Sequence, residues 1–167
     1  HERAYVKAEE ALRRNKPNEL VTELSNMLAE DPADARAARW LVLKLLEMGK
    51  LQEARQVATR VLRQAPGSSD AHMCNALVLL ETGESANAIA EARKSAALAP
   101  DSALPWQALA VWEYQFGSKQ QSVSDCREAL RVNPLSAELH RGLSKALDDL
   151  GAKEEAGEQA KLAQELK

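Results

Sequence analysis

Apolar side chains recur along the chain in short stripes of helical spacing. Leu41, Val42 and Leu45 fall three and four residues apart in one stretch, and Ala54, Ala58 and Val61 do so in the next. Such spacing puts each set on one face of a helix. The pattern returns with a period of 34 residues, which Pro32, Pro66, Pro100 and Pro134 mark out. Three further series keep the same register: Asn15, Gly49, Gly83, Gly117 and Gly151; Asp34, Ser68, Ser102 and Ser136; and Leu20, Ala54, Ala88, Ser122 and Ala156.

Each series has a mechanical reading. Gly, or Asn in its place, suits the left-handed residue that ends a helix, so helices end just before 15, 49, 83, 117 and 151. Asp and Ser cap the free N–H groups of a first turn, so helices begin just after 34, 68, 102 and 136. The prolines stop the preceding helix two residues before each cap. The chain therefore divides into five repeats, 1–34, 35–68, 69–102, 103–136 and 137–167. Each holds a helix A, a short turn, a helix B and a proline-containing turn. Positions within a repeat are called slots below.

The period of 34, with a large residue early in helix A, a small one at slot 8, Ala at slot 20 and Pro at slot 32, resembles the tetratricopeptide repeat. The second repeat carries the resemblance in Leu41, Val42, Leu45, Ala54, Ala58, Val61 and Pro66. The fourth carries it in Trp106, Leu109, Ala110, Ala129, Leu130 and Pro134. The first departs from it, with Lys7 where Leu is expected and Leu20 where Ala is expected. The resemblance implies an all-α fold, an α-solenoid of antiparallel helix pairs stacked in a right-handed superhelix, as one domain over residues 1–167. It also implies that helices A line the concave face and that stacking makes one continuous core. The polar last helix, KEEAGEQAKLAQELK, suits the end of the stack.

At 100° per residue, slots 4, 7, 8 and 11 of helix A point to the core, and slots 2, 5, 6, 9, 12 and 13 point into the groove. This sorting divides the aromatic cluster ALPWQALAVWEYQFG, residues 103–117. Trp106 reads as core, Phe116 as a plug beside the turn, Trp112 as seam filler, and Tyr114 as a groove residue. His72 and His140 both fall at slot 4 and read as packed, hydrogen-bonded side chains rather than ligands. The groove slots of the central repeats are apolar and those of the end repeats are charged. The expected partner-binding residues are Arg36, Arg39, Trp40, Leu43, Met73, Leu77, Gln107, Val111 and Tyr114.

An apolar centre suits an amphipathic helix or an extended apolar segment of another protein, anchored by side chains. A clamp for the C-terminal carboxylate of heat-shock chaperones needs Asn at slot 9 of one repeat and Asn at slot 6 of the next. Leu43 and Cys74 stand there, and Leu104 and Ala108 stand where basic residues should follow, so that use is disfavoured. The leading expectation is a non-catalytic protein-interaction scaffold. The alternatives are a structural spacer or self-assembly module, or a docking array of a larger enzyme or of a bacterial envelope assembly for pilus formation or polysaccharide export.

Composition narrows this further. Apolar residues make up 45% of the chain, which argues against disorder, and Gly and Pro number only 7 and 6. The net charge of −3 gives no overall basic field for nucleic acid. The second repeat is the exception, with Arg36, Arg39, Lys44, Lys50, Arg55, Arg60 and Arg63 against Glu47 and Glu53. That patch suits an acidic partner or a neighbouring copy's acidic repeat. No apolar run approaches the roughly 18 residues of a membrane span. No metal, nucleotide or hydrolase motif occurs, so neither a cofactor nor catalysis is expected. Cys74 and Cys126 fall on helices that should not be adjacent, so a disulfide is not expected. Unpaired thiols lean towards a reducing, cytoplasmic compartment, with the periplasm left open. The first residue is His1 rather than Met, which reads as an excised or processed piece of a larger protein.

Overall fold

A computed structural model of the chain describes residues 2–166. Among them run ten α-helices: α1 (Glu2–Arg13), α2 (Pro17–Glu30), α3 (Ala35–Glu47), α4 (Leu51–Gln64), α5 (Ser69–Glu81), α6 (Ser85–Leu98), α7 (Ala103–Phe116), α8 (Lys119–Val132), α9 (Ala137–Asp149) and α10 (Lys153–Glu165). The odd-numbered helices are the expected helices A and the even-numbered ones the helices B. The chain forms two compact units, His1–Glu91 and Ala92–Lys167, with the border inside α6.

In the first unit α2 packs on α1 and α3, α4 packs on α3 and α5, and α3 lies beside α5. Its core is built from the periodic positions, including Leu24, Leu41, Val42, Leu45, Ala58 and Val61. Burying each such Leu or Val contributes roughly 1.5–3 kcal/mol. In the second unit α8 packs on α7 and α9, and α10 packs on α9. Ala110, Val123, Cys126, Leu143, Leu147 and Ala156 form a core there. Small residues at slots 8 and 20 let helices A and B approach closely enough for hydroxyl-to-backbone bonds. Ser122 Oγ donates to the Ala110 carbonyl at 2.7 Å, and Ser144 Oγ donates to the Ala156 carbonyl at 2.8 Å.

The turns follow the expected chemistry, with two instructive exceptions. Asn15, Gly49, Gly83 and Gly151 have φ of 52°, 71°, 81° and 83°. In those four repeats the slot-16 N–H reaches the slot-11 carbonyl, as in Lys50 to Leu45 at 2.8 Å and Glu84 to Leu79 at 2.9 Å. Gly117 differs, with φ −126°. Its lack of a side chain serves close approach instead, because a Cβ there would collide with Glu113 Oε2.

The second exception is a cap. Asp34, Ser68 and Ser136 accept from the N–H groups of Ala37, Ala71 and Leu139, three residues on. Ser102 precedes α7 but makes no such bond. The residue three positions on is Pro105, which has no N–H to give.

Candidate functional site

The expected binding residues divide between the units: Arg36, Arg39, Trp40, Leu43, Met73 and Leu77 lie in the first, and Gln107, Val111 and Tyr114 in the second. On the first unit, Arg36 is exposed near the start of α3 and lies over two rings. Its Cζ is 4.7 Å from the Tyr5 ring centroid and 5.4 Å from that of Trp40. The rings meet edge to face at 5.9 Å. Tyr5 is fixed in turn by its hydroxyl, which donates to the Asp34 carboxylate at 2.7 Å. Burial and then Asp34 push the Tyr5 phenol well above its ordinary range. Arg39 is tied to Asp70 at 2.6 Å, and Lys44 to Glu47, so part of the basic second repeat is neutralised internally.

Four residues assigned to the groove are less available than the helical wheel implies. Met73 is 2% exposed and Cys74 is fully buried. The wheel treats each helix alone, whereas α5 packs against both α3 and α4 and loses part of its groove face to them. Burial first, then Asp70, pushes the Cys74 thiol up to about 12, which removes it as a nucleophile at neutral pH. Leu77 is half-buried and packs on the first unit's core. Leu43 is half-buried as well.

On the second unit the expected residues come together. Gln107, Val111 and Tyr114 of α7 line a pit of about 190 Å³ with Ser122 and Cys126 of α8 and Glu138, Leu139, Gly142 and Lys145 of α9. Val111 is 50% exposed. The Tyr114 hydroxyl donates to Asp149 Oδ2 at 2.6 Å, and Lys119 Nζ lies 2.7 Å from the same oxygen. These two bonds hold the Asp149 carboxyl below its ordinary range, Lys119 contributing most. The ammonium groups of Lys119 and Lys145 sit 5.5 and 4.9 Å from the Tyr114 ring centroid. Cys126 in the pit wall is buried, and burial followed by the charge of Asp125 pushes its thiol up to about 11.

The other aromatics divide differently from expectation. Trp112 is buried, consistent with a framework role. Phe116 does not plug its turn and is 54% exposed. The Glu113 carboxylate takes that space, accepting from the Ser118 backbone N–H at 2.9 Å. Trp106 is half-buried, and its Nε1 donates to the Pro100 carbonyl at 3.0 Å. His72 and His140 do the same at slot 4 of their own repeats. Their Nε2 atoms donate to the carbonyls of Pro66 at 2.9 Å and Pro134 at 3.0 Å, and their Nδ1 atoms face Glu91 and Gln159, each at 2.7 Å. Slot 4 in these three repeats thus supplies a ring N–H to the carbonyl of the proline six residues earlier.

A cluster that the sequence did not flag lies nearby. Arg93 Nη2 is 2.6 Å from Glu113 Oε1 and 3.1 Å from Asp125 Oδ2. Asp125 is 1% exposed and Glu113 7%. A charged Glu at slot 11, where the other repeats carry Ala11, Leu45, Leu79 and Leu147, was the available signal. Among the described residues, no group of three or more His, Cys, Asp or Glu is placed to hold a metal ion. No described helix is long and apolar enough to cross a membrane.

Comparison with known proteins agrees with this architecture. A thermophilic TPR protein of Thermus thermophilus superposes with a TM-score of 0.78 at 16% identity, over 99% of this chain and 90% of its own. MamA of Desulfovibrio magneticus RS-1 superposes with a TM-score of 0.74 at 20% identity, over 99% of this chain and 93% of its own. Identities this low speak for the fold alone. No sequence match was found among curated proteins. The sequence model of the tetratricopeptide repeat family matches residues 5–69, 41–103 and 109–167. With the repeat period, the helix pairs and these matches in agreement over nearly the whole length, the chain belongs to the tetratricopeptide repeat family.

Proposed function

We propose that this protein is a non-catalytic interaction scaffold that binds a peptide or helical segment of a partner protein on its helix-A face. The observation that carries the reading is the pit on the second unit. It gathers three of the residues expected to bind, Gln107, Val111 and Tyr114, around an apolar wall that the fold leaves uncovered. Val111, half exposed, lines this wall and is open to a partner's side chain. On the first unit the candidates are Arg36, Trp40 and Leu43.

The test is binding to an array of immobilised peptides by the intact chain and by Val111→Glu. Val111 is the better position than Leu77, because a charge at Leu77 would disturb the first unit's core. Loss of binding with an unchanged melting temperature supports the surface; equal binding by both proteins refutes it.

Self-association is a second reading, favoured by other exposed apolar side chains, among them Leu12, Phe116 and Leu135. Sedimentation at rising concentration separates the two: a strictly monomeric protein removes the self-assembly reading.

A further inference from the structure

The pit between α7, α8 and α9 has features that specify its occupant. The following rests on the helix-A face being a binding surface and adds the chemistry of what binds. Small-molecule and cofactor sites generally enclose roughly 300–1,000 Å³. This pit measures about 190 Å³, room for a side chain rather than a cofactor. Ala110, Leu139 and Cys126 give it an apolar lining. Gly142 opens it. That residue occupies slot 6, where the other repeats carry Val6, Trp40, Cys74 and Ala108. A Cβ at 142 would touch only Cys126 Sγ, at 3.9 Å, so the missing side chain leaves space that nothing in the fold requires to be empty.

The two ends of the pit carry opposite charges. Glu138 lies in the first turn of α9 and Lys145 seven residues on, about 10 Å further along the axis. Both are exposed, and neither forms an ion pair among the described residues. The Tyr114 ring, 4.9 Å from the ammonium, and the charge of Asp149 keep Lys145 at the rim.

We propose that the pit receives one apolar side chain of an extended segment of a partner protein, with a basic residue of that segment beside Glu138 and an acidic one beside Lys145. Side chains at i, i+2 and i+4 of an extended chain share one face, so an apolar residue at i+2 can enter the pit while the long side chains at i and i+4, about 13 Å apart at 3.3 Å per residue, reach inward to the two charges. An amphipathic helix of the same reach would bring two apolar residues, at i+3 and i+4, to a pit with room for one. The side chain gives affinity, and the charges give direction.

The probe is an array of octapeptides with basic, apolar, acidic and neutral residues permuted over five adjacent central positions. The intact chain should select an apolar residue bracketed by one basic and one acidic residue, and should lose at least tenfold in affinity when the apolar residue becomes Ala. Gly142→Leu should abolish this binding with a melting temperature no lower than that of the parent, because Leu is the better helix former. Gly142→Ala, whose methyl only reaches contact distance with Cys126, should bind at an intermediate level. Lys145→Glu should shift the selection from acidic to basic at that end.

Undiminished binding by Gly142→Leu, or a selection blind to Lys145→Glu, overturns the assignment. If Val111→Glu still abolishes binding in that case, the surface stands and only its proposed occupant falls. Selection of peptides with apolar residues at helical spacing overturns the extended occupant. Binding to no peptide at all overturns both the pit and the surface.

Discussion

The backbone N–H of Ser118 donates to the side-chain carboxylate of Glu113 at 2.9 Å, where the other four repeats close the same turn on the slot-11 backbone carbonyl. One buried acid therefore does the work of a main-chain acceptor. The same carboxylate holds Arg93 at 2.6 Å. Glu113→Ala removes both interactions and leaves Arg93 with Asp125 alone. Because Arg93 is partly solvated, the expected loss is about 2 kcal/mol, the range of a hydrogen bond to a charged group, rather than the larger cost of orphaning a fully buried ion. Urea midpoints of the two proteins check this; an unchanged midpoint would show that water replaces the carboxylate at no cost.

Gly117 and Gly83 should respond to alanine for different reasons. At Gly83 the space around a new Cβ is empty and φ is +81°, so the cost is backbone strain alone, roughly 1–2 kcal/mol. At Gly117 a new methyl would collide with the Glu113 carboxylate and displace it. Gly117→Ala and Glu113→Ala should therefore cost less together than the sum of the two. Gly83→Ala and Glu113→Ala should simply add. A double-mutant cycle reads the coupling directly, and additivity at Gly117 would break the proposed link.

Asp125 should make the fold sensitive to mild acid in an unusual direction. Burial is the largest influence on its carboxyl and raises it above the ordinary Asp range; the charge of Glu113 adds to this, while Arg93 and Gln121 oppose it. A raised folded-state value means the native protein binds this proton more tightly than the unfolded chain does. As pH rises from the ordinary Asp value, near 4, through the raised value, the contribution of Asp125 to stability falls. Relative to Asp125→Asn, which cannot ionise, the parent should lose stability across that window. Stability curves that stay parallel from pH 4 to 7 would contradict the assignment.

His140→Phe tests the slot-4 bond. An aromatic ring, somewhat larger than imidazole, is kept, but the donation to Pro134 and the contact with Gln159 are lost. A cost of about 1–3 kcal/mol is expected from leaving two polar partners unmatched, read from thermal or urea unfolding. If Phe is tolerated without loss, the proline carbonyl is satisfied by solvent and slot 4 is a packing position only.

Period, caps and turns were legible in the sequence because they depend on neighbours within a few residues. The 34-residue spacing of prolines and glycines located the helices, and Asp34, Ser68 and Ser136 cap theirs as local chemistry demands. Even the silent cap at Ser102 has a local cause, the missing N–H of Pro105 three residues on. Tyr114, Val111 and Gln107 could be placed on a groove-facing side of α7 from helical geometry alone.

What the sequence left undecided depends on residues far apart in the chain. Cys74 and Met73 lie on the groove side of an isolated α5, and the burial of Cys74 in the first unit's core follows only once α3 packs beside that helix. Phe116 reads as a plug until Glu113 is seen to fill the turn, and Glu113 has reason to be buried only because Arg93, twenty residues earlier, reaches it. The pit at Gly142 likewise exists only when α7, α8 and α9 are brought side by side. Helical periodicity fixes which face of a helix a residue occupies; packing between helices determines whether that face is covered, paired or left open to a partner.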